Sequence, residues 1–142
     1  LRQLAAGIEP GVVGVIFAEG TRANDTKRAR ALEKIAERDP ERARRMGALR
    51  RLLPPRPAGT RAMVEAAPGA DVVLAWHTGF DGLDTFGGII DKLAKPLPPV
   101  RFVPRRVARA AVPSGDAFDT WLDEQWLRLD GEVDRALGEQ AT

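Results

Sequence analysis

The sequence predicts an α/β domain in which helices flank a layered, largely parallel sheet. Two apolar runs without alternation, Val12 to Ala18 and Val72 to Ala75, are typical of strands that are covered on both faces. Helical patterns fill the sequence between these runs, and the order strand, helix, strand favours a parallel pair joined by a crossover. We therefore expect a single domain over residues 1–142, with the strands in its central layer.

Two short helices are predicted after the first apolar run. The residues at 24–26 are asparagine, aspartate and threonine, which all cap helix N-termini, and apolar residues then recur three or four apart up to Ile35. Asp39 followed by Pro40 is typical of a cap and a first helical position. We therefore expect a second helix from Pro40 to about Leu49.

A loop, a helix and a strand are predicted next. Residues 54–59 include three prolines and cannot form a regular helix. Thr60 is placed to cap a helix that runs to Ala67, and residues 71–77 carry the second apolar run. We therefore expect residues 71–77 to form the second strand of the sheet.

The last third of the chain is predicted to hold a long helix. Residues 79–88 read as a loop rich in glycine and aspartate, residues 89–93 as a short helix and residues 95–99 as a connector. An edge strand is expected in residues 100–108, since Pro104 cannot donate to a ladder. Ser114 is then predicted to cap a helix whose apolar residues are spaced three or four apart. Its other face should be solvated and carries Asp119, Asp123, Arg128 and Asp134.

Composition excludes several kinds of site. The chain has no cysteine, which rules out disulfides, thiolate metal sites and a cysteine nucleophile, and its one histidine, His77, cannot form a two-histidine zinc site alone. No window reaches the roughly 18 consecutive apolar residues of a spanning helix. Residues 1–7 read as the end of a helix that runs into a glycine. We therefore expect the domain to be incomplete at its amino terminus.

A cluster of polar residues follows the first apolar run directly. Arg22 can offer a fork of donors to an oxyanion, Gly20 allows a close approach of the backbone, and Thr21 adds a hydroxyl. Glu19 can hold Arg22 in position or accept a hydrogen bond from a substrate hydroxyl. These residues are suited to binding a phosphate; the alternative is a polar turn with an incidental salt bridge.

Residues 16–22, which read I-F-A-E-G-T-R, resemble the glutamate-glycine-threonine-arginine block of the glycerolipid acyltransferases, which include the 1-acylglycerol-3-phosphate acyltransferases. In that family the block binds the phosphate of the acyl acceptor. A proline usually precedes the glutamate there, whereas this chain has Ala18. A weaker similarity to the family's later basic segment falls on Arg44 to Ala48, where Arg45 keeps the charge. The resemblance implies the carboxyl-terminal part of an acyltransferase-like fold, with Glu19, Gly20, Thr21, Arg22 and Arg45 binding substrate.

The resemblance also implies a reaction. An acyl group would pass from an acyl thioester, acyl-CoA or acyl carrier protein, to the hydroxyl of a lysophospholipid or glycerol phosphate in phospholipid biosynthesis, with no cofactor. The enzyme would work at the cytoplasmic face of the cell membrane, where this portion would be peripheral. The family's catalytic histidine and aspartate precede the phosphate block, but no histidine precedes Glu19. This chain alone is therefore expected to be inactive, and His77 is expected to be structural rather than the base.

Basic residues crowd between Lys27 and Arg61, although the net charge is only +2. The cluster fits an anionic membrane surface, a nucleic acid or simply a solvated helix with internal ion pairs. Interleaved glutamates and the lack of an aromatic residue in the first helix argue against nucleic acid, which we do not expect as a partner. The alternative to an enzyme is a noncatalytic module that binds an anionic membrane or a protein.

Overall fold

The computed structural model describes residues 11–79 and 99–140. In chain order the elements are helices α1 (Asp25–Ala36), α2 (Pro40–Met46) and α3 (Pro57–Ala66), strands β1 (Val72–Thr78) and β2 (Arg101–Val107), a 3-10 turn (Arg109–Ala111) and helix α4 (Asp116–Gln140). The strands pair antiparallel, with Val72 opposite Val107 and Thr78 opposite Arg101.

The predicted fold class is wrong. The residues that the structure describes form a two-stranded antiparallel sheet with four α-helices, and neither the layered, largely parallel sheet nor the acyltransferase-like architecture that the resemblance implied is found. The error lies in the reading of the apolar runs. In β1 the burial alternates, with Leu74 and Trp76 buried and Val73 and Ala75 exposed, so one face is covered and the other is not. An unbroken apolar run does not by itself show that both faces are covered.

The first predicted strand is also absent. Residues 12–17 lie in no ladder among the described residues, and most of them are exposed, with Val13 84% and Phe17 82% exposed and Ile16 half-buried. Apolar composition had suggested a strand, but a strand requires a partner. Without this strand, no parallel crossover can form between it and β1.

Helix α1 and the start of α2 were predicted correctly because their signals are local, but α2 ends at Met46 rather than near Leu49. The side chain of Asn24 accepts a hydrogen bond from the Lys27 backbone N–H at 2.8 Å, and the side chain of Asp39 accepts one from Arg42 at 2.9 Å.

The prediction that residues 54–59 form no regular helix is wrong for residues 57–59, and α4 begins at Asp116, two residues after the predicted cap Ser114. Helix α3 begins at Pro57 rather than after Thr60, since proline suits the first helical turn. The predictions for residues 1–7 and for the loop, helix and connector within 80–98 lie outside the described residues.

Helix α4 covers one face of the sheet. Leu129, Val133 and Ala136 pack with Leu74 and Trp76, while a neighbouring cluster joins Val112, Phe118 and Leu122. The prediction that Asp123 is solvated is wrong, because this side chain is only 2% exposed and is paired with Arg42. Asp130 on the same helix is also buried. Helix α4 therefore supports both the sheet and the segment around α2.

Candidate anion-binding site

A tight turn connects the exposed apolar segment to α1. The Gly20 backbone N–H donates to the Phe17 carbonyl at 2.9 Å, and Gly20 has a φ of +72°. A Cβ atom at this position would lie 3.1 Å from the guanidinium of Arg56. The turn therefore favours glycine because of both its backbone conformation and the arginine beside it.

Arg56 reaches this turn from the proline-rich loop. Its backbone N–H donates to the Ala18 carbonyl at 2.8 Å, which fixes the loop against the turn. The loop is fixed on its other side by α4. Arg42 donates to both carboxylate oxygens of Asp123, at 2.7 and 2.8 Å, and to the Pro55 carbonyl at 2.9 Å.

A cavity of about 260 Å³ lies between the turn, this loop and α1. Three of the residues that line it are cationic residues of α1, Lys27, Arg30 and Lys34, whose spacing of three and four places them on one helix face. Arg56 supplies a fourth cation. The remaining lining residues are Glu19, Thr21, Ala31, Leu53 and Pro54.

The positive charge of the cavity is largely uncompensated by the residues that the structure describes. The Lys27 ammonium donates to the Thr21 hydroxyl at 3.1 Å and to the Arg22 carbonyl at 3.2 Å, which are neutral acceptors. Within residues 11–79 and 99–140, the side chains of Arg30, Lys34 and Arg56 form no ion pair. The ion pairs expected for a solvated helix are therefore missing from this face.

Glu19 is the only carboxylate among the described lining residues, and it is directed toward α4. Its Oε1 accepts a hydrogen bond from the Trp126 indole N–H at 3.2 Å. Burial raises the pKa of Glu19 above its ordinary value, while hydrogen bonds from Trp126 and from the Leu53 backbone oppose this shift. The expected contact between Glu19 and Arg22 is not made; the glutamate links the turn to α4 instead.

The pKa of Glu19 predicts how stability depends on pH. Because the pKa is raised in the folded state, the folded protein favours the neutral form of Glu19. The contribution of the neutral carboxyl to the free energy of unfolding is therefore complete below about pH 4.5, the ordinary pKa, and is lost as the pH rises through the raised pKa. Glu19→Gln should therefore raise the melting temperature at pH 7, with a difference that disappears below pH 4.5. Thermal unfolding monitored by circular dichroism across this range tests the prediction; a lower melting temperature at pH 7 would contradict it.

The structure brings together some of the predicted site residues and separates others. Glu19 and Thr21 line the cavity and Gly20 forms its turn, but the side chain of Arg22 is not part of the lining. Arg45 lies 3.8 Å from Asp123 and does not line the cavity either. In the sequence, the cations of α1 indicate only a general basic cluster. Arg56 was not predicted as a site residue, because the proline-rich loop around it carries no functional signal.

Comparison with family models, with curated proteins and with solved structures finds no match for this chain. None of the helices within residues 11–79 and 99–140 is long and apolar enough to cross a membrane. The evidence for the candidate site is therefore its geometry, together with the resemblance of residues 16–22 to the acyltransferase block.

Proposed function

We propose that the cavity binds the phosphate of a lysophospholipid or glycerol phosphate, as the acceptor-binding part of an acyltransferase in phospholipid biosynthesis. The observation that carries this proposal is the cluster of Lys27, Arg30, Lys34 and Arg56 around the turn that holds Gly20 and Thr21. The turn was singled out by its sequence and the four cations by geometry. Both features suit the same anionic group.

The charges of the cavity support a phosphate ligand. A phosphate monoester carries about 1.5 to 2 negative charges at neutral pH, and it would meet cations that have no carboxylate partner in the described part of the chain. A second cavity of the same volume, beside Trp76, offers a contrast, because Arg101 and Arg135 share it with Glu132 and Glu139. Arg101 is already paired there with Glu139 at 3.3 Å. An anion is expected to prefer the cavity beside α1.

The size of the cavity suits a headgroup rather than a whole lipid. Pockets for drug-sized ligands span about 300–1,000 Å³, and this one measures about 260 Å³. The exposed side chains of Val15 and Phe17 lead directly into its turn. In the proposed complex the acyl chain of the acceptor lies along this apolar segment while its phosphate occupies the cavity.

The transfer step needs a base in addition to this site. The acceptor hydroxyl attacks the thioester carbonyl, loses its proton to the base and displaces the thiol of CoA or of the carrier protein. The chain's one histidine, His77, lies in β1 and does not line the cavity. The proposal therefore assigns acceptor binding to this chain and leaves the general base to residues outside the cavity.

Arg56→Ala is expected to weaken the binding of glycerol 3-phosphate by about 10- to 100-fold. The change removes a charge-assisted hydrogen bond worth about 1.5–3 kcal/mol, while the loop is still held through the Arg56 backbone. Isothermal titration calorimetry at fixed ionic strength measures the effect. Arg38→Ala is the matched control, since it removes an exposed arginine that does not line the cavity.

Arg22→Ala and Arg45→Ala test the two predicted substrate-binding residues whose side chains do not line the cavity. If Arg22 also reaches the phosphate, as the resemblance implies, its loss should raise the acceptor KM of the proposed enzyme and leave the thioester KM unchanged. Equal, small effects of Arg56→Ala and Arg38→Ala would overturn the assignment of the cavity.

The second candidate is a noncatalytic module that binds anionic membranes. It is favoured by the exposed apolar segment at residues 12–17, which lies next to the cationic cavity and could insert among lipids. Sedimentation with vesicles separates the two functions. The module predicts vesicle binding that glycerol 3-phosphate does not compete away and that Phe17→Ser weakens.

A further inference from the structure

We propose that the cavity takes a ligand with two phosphate groups, one at the turn and one farther along α1. This inference rests on the proposed phosphate-binding function and specifies its ligand class. It starts from the length of the cationic row. Lys27 and Lys34 are seven residues apart on one helix face, which corresponds to about 10 Å at about 1.5 Å per residue. The helix therefore presents its cations along its length rather than at one point.

The row divides into two parts with different surroundings. At the near end, Lys27 is held by Thr21 and by the Arg22 carbonyl, and the Arg56 guanidinium lies against Gly20. These groups surround the first phosphate position. At the far end, Arg30 and Lys34 line the same cavity beyond the contacts of the turn and have no carboxylate partner among the described residues.

The formal charge of the lining residues also favours a ligand with two phosphate groups. Four cations and one carboxylate give the described lining a formal charge of +3, which exceeds the charge of about −2 on one phosphate monoester. A second phosphate would balance the positive charge that the first leaves over.

Calorimetric titration with two matched probes tests the proposal. Glycerol 1,3-bisphosphate should bind at least about tenfold more tightly than glycerol 3-phosphate at the same ionic strength, which corresponds to about 1.4 kcal/mol. Lys34→Ala should reduce this ratio to below about threefold, and Lys34→Arg should restore it. Lys27→Ala should weaken the binding of both probes. Arg38→Ala, outside the lining, should leave the ratio as in the unmodified chain.

Three results would overturn the inference or its premise. Equal affinities for the two probes would remove the second phosphate position while leaving the proposed function intact. A tenfold ratio that survives Lys34→Ala would place the second phosphate elsewhere. Failure of both probes to bind would remove the proposed function itself.

A competition experiment shows whether the ligand with two phosphates is a lipid headgroup or a soluble molecule. Vesicles of a lipid with two phosphates in its headgroup are compared with vesicles of a single-phosphate lipid at equal total phosphate. Preferential displacement of glycerol 1,3-bisphosphate by the first vesicles assigns the site to a lipid headgroup. Displacement by neither kind of vesicle assigns it to a soluble bisphosphate, and equal displacement by both would contradict the preference for two phosphates.

Discussion

Asp130→Ala is expected to lower the free energy of unfolding by about 3–4 kcal/mol. The side chain of Asp130 is 4% exposed and accepts hydrogen bonds from three successive backbone N–H groups, those of Arg50, Arg51 and Leu52, at 2.9, 2.7 and 2.7 Å. Alanine would leave these donors without their acceptor. The loss is large because the bonds are charge-assisted and partly buried.

Chemical denaturation measures this loss of stability. Two further variants separate the contribution of the backbone hydrogen bonds from that of surface ion pairs. Asp134→Ala is the matched control, since Asp134 pairs with the side chains of Arg50 and Arg51 near the surface and should matter little. Asp130→Asn keeps an oxygen acceptor but loses the charge, so its stability should lie between those of the alanine variant and the unmodified chain. Equal effects of Asp130→Ala and Asp134→Ala would show that the backbone contacts contribute nothing.

Arg42→Met is expected to cost about 3 kcal/mol, because it leaves Asp123 buried without its main partner. Arg42 is mostly buried and holds both oxygens of this carboxylate, whereas Arg45 approaches only to 3.8 Å. Arg42 also donates to the Pro55 carbonyl. The change should therefore loosen the loop that carries Arg56 as well as destabilise the fold.

The double variant Arg42→Met with Asp123→Leu separates these contributions. Replacing both partners removes the uncompensated charge, so most of the stability should return, except for the part due to the bond to Pro55. Arg44→Ala is the control, since Arg44 and Glu41 form a solvent-exposed pair. A double variant as unstable as Arg42→Met alone would contradict the description of the pair. Thermal unfolding and denaturant titration both provide the comparison.

Local signals in the sequence predicted the helices, and nonlocal contacts explain what it did not predict. Asn24 and Asp39 act within three residues along the chain, so their caps can be recognised from sequence. Strand pairing depends on distant segments. Residues 72–78 pair with residues 101–107 in the antiparallel sense, and no apolar pattern within either segment specifies that partner.

The candidate site shows the same division. The sequence identified Glu19, Gly20 and Thr21 because they are consecutive and chemically distinctive. Arg56 joins them through long-range contacts, a hydrogen bond from its backbone to Ala18 and a guanidinium that lies beside Gly20. Asp123 was read as solvated because its charge suits a helix surface, but its partner on α2 buries it. Such pairings become visible only once the chain is folded.

The central claim is that the cavity between the turn, the proline-rich loop and α1 binds a phosphate. Backbone amide shifts in nuclear magnetic resonance spectra, recorded while glycerol 3-phosphate is added, test it most directly. We expect saturable shifts at Gly20, Thr21 and Lys27 and at Arg56, which all lie at this cavity. An absence of shifts there, or shifts confined to the cavity beside Trp76 and Arg101, would contradict the claim.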